Sequence, residues 1–186
     1  GVQTCALPIP DPMRDRAIKD LADMARLIDD GLALTRSTTE IDHEPVDLVA
    51  IVTEVCDDRA EFGSAVRRGA MPAAARLVGS RIGLVRLIGN LVDNALRYAG
   101  DAEVSVRRDG DVWVVTVADH GPGIAVADRE RVFEPYLRLE ASRNRGTGGS
   151  GLGLAIAQQI VSTHGGTIAV RDRADGAPGA VLEVRL

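Results

Sequence analysis

The sequence predicts an α+β fold, with helices packed on an antiparallel or mixed sheet, from three observations. Residues 81–99 carry a strong helical apolar stripe, residues 102–117 read as a β-hairpin, and two further β-like runs follow an apolar helix near the C-terminal end.

The elements follow in chain order. Gly1 to Pro10 has two prolines and no amphipathic pattern, so it is expected to be disordered or foreign to the fold. From Asp11 to Arg36, Ile18, Leu21, Met24, Ala25, Ile28 and Leu32 recur at three- and four-residue spacing. That is a helix with one apolar stripe, and it needs a partner. Residues 37–45 are polar, aperiodic and end in proline, which predicts a linker and a domain boundary. Val46 to Arg59 resumes helical spacing, and residues 65–78 have room for one or two strands.

In the helix of residues 81–99, Leu84, Ile88, Leu91 and Ala95 share a face that Leu87 extends, and Gly100 ends it. Ala102 to Val106 and Val112 to Val117 are strands joined through Asp109 and Gly110. A long irregular stretch runs from Gly121 to Gly151, a length that in compact domains marks function or disorder. A helix follows from Leu152 to Thr163, stopped by Gly165 and Gly166, and the β-like runs 167–171 and 180–186 complete the chain.

The totals exclude several classes. Lys and Arg number 22 against 27 Asp and Glu, a formal charge of -5, and no long basic run occurs, so a nucleic-acid partner is not expected. Cys5 and Cys56 lack any metal-ligand or disulfide-framework spacing. No uncharged apolar run approaches the ~20 residues of a membrane span, and residues 1–10 lack the basic start of a secretory signal, so the expectation is a soluble, cytoplasmic domain.

Three places can carry chemistry. Asn90 and Asn94 lie four apart on the strong helix, with Arg97 and Tyr98 within a turn of Asn94. Amide oxygens suit a hard cation such as Mg²⁺ that bridges to phosphates, and Arg97 can balance phosphate charge. The plainer reading is a solvated helix face. Asp119-His120-Gly121-Pro122-Gly123-Ile124 ends a strand, where its glycines admit a planar ligand. Asp119, an acceptor only, suits the exocyclic amine of adenine, whereas guanine presents a carbonyl there. An ordinary Pro-Gly turn is the alternative.

Gly146 to Gly153 precedes the last helix, so backbone N–H groups and the helix dipole favour a phosphate. Residues 146–151 satisfy GxGxxG, but they follow a polar, Arg-containing loop and not the first strand of a βαβ unit, so a dinucleotide fold is excluded by context. A P-loop is excluded because no Lys followed by Ser or Thr closes the run. A flexible glycine linker is disfavoured by the apolar helix that begins at once.

In order, NLVDN from Asn90, DHGPGI from Asp119, VFEPY from Val132 and GTGGSGLGLAI from Gly146 resemble the N box, first glycine box, F box and second glycine box of sensor histidine kinases. The resemblance covers residues 46–186 and implies a two-layer α/β sandwich, a mixed, mainly antiparallel sheet packed on helices, that binds ATP under a lid. Carried over by position, Asn94 and Asn90 would hold Mg²⁺, Arg97 would lie near phosphate, Tyr98 would pack at the nucleotide and Asp119 would read adenine. Gly121 and Gly123 would shape the base pocket, and Ile124, Gly149, Gly151, Leu152, Gly153 and Leu154 would also belong to the ATP site. Residues 124–150 would be the lid, anchored by Phe133 and Pro135, with Arg138 or Arg143 reaching the phosphates.

The related gyrase and chaperone ATPases carry a water-activating Glu four residues before the metal-binding Asn. Here that position is Asn90, and an amide is no general base, which favours a kinase over an ATPase. Tyr136 and His120 depart from the usual Phe and Asn of their boxes. The helix of residues 11–36 resembles the second helix of the dimerisation and phosphoacceptor hairpin. Of the three histidines, His43 is followed by Glu44 and Pro45 in the linker, His120 lies in a glycine box, and His164 reads as a helix-end residue; none has the acceptor pattern.

The resemblance therefore implies partners: ATP, the phosphoacceptor domain of the same or a sister subunit in a homodimer, and a response-regulator receiver domain. The intact parent would lie in the cytoplasm or in the inner or plasma membrane. An anti-sigma-type serine kinase and a non-catalytic ATP-sensing module are the alternatives.

Overall fold

The computed structural model describes residues 43–138 and 150–186, together with Met13, Arg14, Leu21 and Met24. Those four are helical and exposed, inside the segment expected to be a helix; the remainder of residues 1–42, and Arg143 and Gly149, lie outside the described residues. Among the described residues no helix is long and apolar enough to cross a membrane.

Strand β1 (Glu44–Asp47) pairs antiparallel with β3 (Arg76–Gly79) as a two-stranded ribbon. The expected linker thus ends two residues early, and the expected helix begins two residues late. Among the described residues the ribbon has two strands, and a proline such as Pro45 is tolerated at such an edge. Asp47 then caps helix α1 (Leu48–Glu61): its Oδ1 accepts from Val49 N at 3.0 Å and from Ala75 N at 2.9 Å, which also ties the helix start to the segment before β3.

Strand β2 (Ala65–Arg68), β4 (Asp101–Asp109), β5 (Val112–Ala118), β6 (Thr167–Arg171) and β7 (Val181–Arg185) form the main sheet in the order β2-β4-β5-β7-β6. Only β2 with β4 is parallel; the other pairs are antiparallel, as the mixed, mainly antiparallel expectation has it. The hairpin turns at Gly110, whose φ of 61° needs a residue without a Cβ.

Helix α2 (Arg81–Ala99) and helix α3 (Gly153–Thr163) pack with α1 on one face of this sheet. Leu84, Leu87, Ile88, Leu91 and Ala95 are buried, and they meet Val104, Val106, Val115, Val117, Leu182 and Val184 in one core. Alternation along β4 is clean: Ala102, Val104 and Val106 point inward, while Glu103, Ser105 and Arg107 are less buried.

Both ends of α2 are fixed by specific groups. Ser80 Oγ accepts from Gly83 N at the start, and Gly100, in the left-handed region at φ 85°, closes the end. His164, the residue that ends α3, reaches back across: its Nε2 accepts from Ser80 N at 3.0 Å while its Nδ1 sits 2.7 Å from Ile160 O. One neutral imidazole with its proton on Nδ1 satisfies both contacts and joins the end of α3 to the start of α2.

Candidate functional site

Asn90 projects from α2 toward the start of α3, and Asn94, half-buried, follows one turn on. A Cβ built on Gly153 would lie 3.8 Å from both Cγ and Oδ1 of Asn90, so the glycine lets the helix start approach the amide. Asn90 Nδ2 is buried and has no hydrogen-bond partner among the described residues. One turn on, Arg59 holds Asp93 with two hydrogen bonds, of 3.2 and 3.4 Å, which helps to fix the rotation of α2 against α1.

Among the described residues the N-terminus of α3 has no side-chain cap, and its first turn holds no acidic residue. Its free N–H groups and dipole are therefore available to an anion. Leu152 is 2% exposed and Leu154 packs on the core, so what these two residues can offer a ligand is backbone. The N–H of Leu152 already donates to Ser150 Oγ.

Asp119 is the one buried polar or charged residue among those described. Its N donates to Ala180 O at 3.0 Å, and its Oδ1 accepts from Gly121 N at 2.9 Å and from Ala180 N at 3.1 Å. Oδ2 accepts nothing from the described residues and remains open to a donor. The loop beside it is tight: a Cβ on Gly121 would stand 3.1 Å from Ala99 Cβ, and Gly123, at φ 74°, faces Gly179 O at 2.9 Å from its would-be Cβ. These contacts bring the Asp119 loop to the end of α2, where Arg97 is half-buried and Tyr98 exposed.

His120 braces that loop from outside. Its N donates to Asp101 Oδ1 at 3.2 Å and its Nδ1 lies 2.5 Å from Asp101 Oδ2. Burial pulls the Asp101 carboxyl upward, but the hydrogen bonds and charge of His120 outweigh it and hold the carboxyl below its ordinary value. Arg129 holds the following segment, donating to Ile124 O at 3.2 Å and to Asp172 at 2.5 Å.

Phe133 is buried in the core, whereas Pro135 is exposed, so of the two expected anchors it is the aromatic ring that enters the core. Tyr136 adopts φ 64°, rare for a residue with a Cβ, and its N donates to Gly151 O at 3.0 Å. Gly151, itself at φ 72°, has no room for a Cβ, which would meet the Tyr136 backbone at 2.9 Å. Arg138 follows, half-buried.

The four sequence boxes thus form a continuous set. Asn90 meets Gly153, Gly121 meets Ala99, and Gly151 meets Tyr136. Sequence reasoning singled out every one of these except Ala99, but it missed Gly179, Arg173 and Asp101, which support Asp119 from distant parts of the chain. The fit to a purine nucleotide rests on three features: an open carboxylate oxygen, an uncapped helix start and an unpaired buried amide. Among the described residues no group of three or more His, Cys, Asp or Glu is arranged to hold a metal, so a cation here would rely on the amides and on phosphate. A hollow beside β1, lined by Pro45, Asp47, Glu54 and Arg81, shares no residue with the boxes.

Comparison with known proteins places this geometry among nucleotide-binding domains. Residues 79–186 match the family described as histidine kinase-, DNA gyrase B-, and HSP90-like ATPase. The sensor protein SphS of Synechococcus elongatus is 36% identical over 193 residues, covering 95% of this chain and 46% of that protein. The sensor-like histidine kinase SenX3 of Mycolicibacterium smegmatis is 36% identical over 174 residues, 86% of this chain and 44% of that one. Among solved structures, the mycobacterial sensor histidine kinase MprB superposes with a TM-score of 0.66 at 31% identity, over 77% of this chain and 96% of that chain. The ATP-binding domain of PrrB from Mycobacterium tuberculosis does so with a TM-score of 0.62 at 26% identity, over 78% and 96%. The chain spans less than half the length of these two curated relatives.

Proposed function

The chain belongs to the histidine kinase-, DNA gyrase B- and HSP90-like ATPase family, and from that premise we propose that it is the ATP-binding catalytic domain of a sensor histidine kinase. In this reading Asp119 Oδ2 accepts from the exocyclic amine of adenine, and the start of α3 with Gly151 and Gly153 receives the phosphates. Arg97 balances phosphate charge from α2, and Arg138 or Arg143 does so from the lid. Asn94 and Asn90 hold Mg²⁺, which when bound neutralises phosphate charge and aligns the terminal phosphoryl group.

The single observation that carries the reading is the buried Nδ2 of Asn90, without a partner among the described residues and beside the uncapped start of α3. A buried amide left unpaired is costly in a protein that binds nothing there. With an amide at position 90, the place of the water-activating Glu is taken by a group that is no general base, and Asp93, the carboxylate of α2, is held by Arg59, so the domain holds ATP for an outside acceptor. That acceptor is a histidine on the dimerisation and phosphoacceptor domain of its own or a sister subunit in a homodimer. A response-regulator aspartate receives the group next. The domain works in the cytoplasm.

Calorimetric titration of the full chain with a non-hydrolysable ATP analogue, with and without Mg²⁺, tests the proposal. Micromolar to sub-millimolar binding that Mg²⁺ strengthens, and that Asp119→Asn abolishes, is the expected result. A wild type that binds no nucleotide overturns it.

A further inference from the structure

We infer that Arg173 is a positioning residue for base recognition, fixing the backbone of Asp119 so that one carboxylate oxygen faces the adenine amine. The inference deepens the nucleotide-binding reading and rests on it.

Arg173 lies in the turn between β6 and β7, and its side chain is only 14% exposed. Nε and Nη2 hold the Asp175 carboxylate at 3.0 and 2.6 Å, which sets the guanidinium plane. The remaining terminal nitrogen, Nη1, donates to the backbone oxygen of Asp119 at 3.1 Å. Asp119 is therefore held at its N by Ala180, at its O by Arg173 and at Oδ1 by Gly121 and Ala180. Oδ2 is the acceptor left over.

The turn is shaped for this contact. Gly179 adopts φ 139°, and a Cβ there would stand 2.0 Å from Asp119 O and 2.8 Å from Arg173 Cδ. Any larger residue at 179 would occupy the path by which the guanidinium reaches the carbonyl. On the far side of the loop Asp101 holds His120 N, so the peptide between Asp119 and His120 is gripped at its oxygen by Arg173 and at its nitrogen by Asp101. Loss of the arginine frees one side of that peptide, and with it the loop that sets Gly121 N against Asp119 Oδ1, so the carboxylate is no longer held in one orientation.

The consequence is specific to the base. Adenine loses a hydrogen bond that guanine never makes, so affinity for adenine nucleotides falls while affinity for guanine nucleotides is unchanged. A defect of packing alone lowers both.

The test measures binding of non-hydrolysable ATP and GTP analogues, each with Mg²⁺, to the wild-type chain, Arg173→Met, Arg173→Lys and Asp175→Asn. Arg173→Met is expected to weaken ATP-analogue binding about tenfold and to change GTP-analogue binding by less than about twofold, so the ATP-to-GTP ratio falls about tenfold. Arg173→Lys, which can still donate to the carbonyl, restores most of the ratio. Asp175→Asn, which releases the guanidinium without removing it, lowers the ratio in the same direction and serves if Arg173→Met does not fold. An unchanged ratio in a folded variant, or an equal loss of both analogues, overturns the inference. A wild type that binds neither analogue overturns the nucleotide reading itself, and this inference with it.

Discussion

Asn90 faces Gly153 across the gap between α2 and α3, its amide 3.8 Å from where a Cβ on that glycine would be. Two segments more than sixty residues apart in sequence thereby share one small space. What a side chain does there separates stability from binding.

Replacing the amide with an apolar group should reverse the two properties. Asn90→Leu removes an unpaired buried N–H group, a penalty of about 1–3 kcal/mol, and is expected to raise the melting temperature of the ligand-free protein by about 2–6 °C. The same change should weaken binding of a Mg²⁺-loaded ATP analogue by at least about tenfold. Differential scanning calorimetry and titration read the two effects; a fall in melting temperature would show that the amide is paired in the ligand-free protein.

Two glycines with positive φ should differ sharply in their tolerance of a methyl group. Gly100, at φ 85°, has nothing within 4 Å of a would-be Cβ, so Gly100→Ala should cost only the left-handed strain, about 1 kcal/mol. Gly179→Ala drives a Cβ into the backbone oxygen of Asp119 and should cost more than about 3 kcal/mol. Urea unfolding of both variants measures the difference, and equal costs would mean that the β6–β7 turn yields freely.

Acid should loosen the same turn. The Arg173 guanidinium beside Asp175 lowers its carboxyl to about 2, and His120 holds Asp101 below its ordinary value against the upward pull of burial. A carboxyl depressed in the folded state stabilises fully above its unfolded value, and that stability is lost as pH falls through the folded value. The urea midpoint of the wild type should therefore drop between the ordinary carboxylate range, near 4, and about 2. Asp175→Asn, which has no carboxyl to protonate, should show a shallower fall over that window; an identical slope would exclude the pair as its source.

Burial raises the Cys56 thiol to about 11, outweighing the nearby charge of Arg68. At neutral pH it is a protonated, enclosed group and a poor nucleophile. In a Cys5→Ser background, labelling by a thiol reagent should be slower in native buffer than in urea by on the order of a hundredfold. Equal rates would mean that α1 opens readily.

The residues of the candidate site were legible in the sequence because their types are poor choices for an ordinary helix face, strand end or linker. Two asparagines on a helix, an aspartate followed by glycines, and a glycine run before an apolar helix each carry a local cost that a ligand explains. Gly100 was legible as a helix end for the same local reason. Strand β1 was not, because its partner lies some thirty residues on and its own four residues, with a proline among them, show no alternation. Arg173 was equally hidden: its contact with Asp119 spans 54 positions, and an Arg two residues before an Asp in a turn looks like any solvated ion pair. Pairings across such distances come from the order of strands in the sheet, which periodicity does not encode.

That strand order also sets a timetable. β7 lies between β5 and β6 in the sheet, so β6 has no neighbour to join until residues 181–185 exist. A ribosome that has released the chain as far as residue 170 has delivered both asparagines, Asp119 and α3. It has not delivered Ala180, which holds Asp119 at two of its atoms, or Arg173, which holds a third. A nascent domain of this design cannot complete the set of hydrogen bonds that holds Asp119 until almost the whole of residues 44–185 has been synthesised.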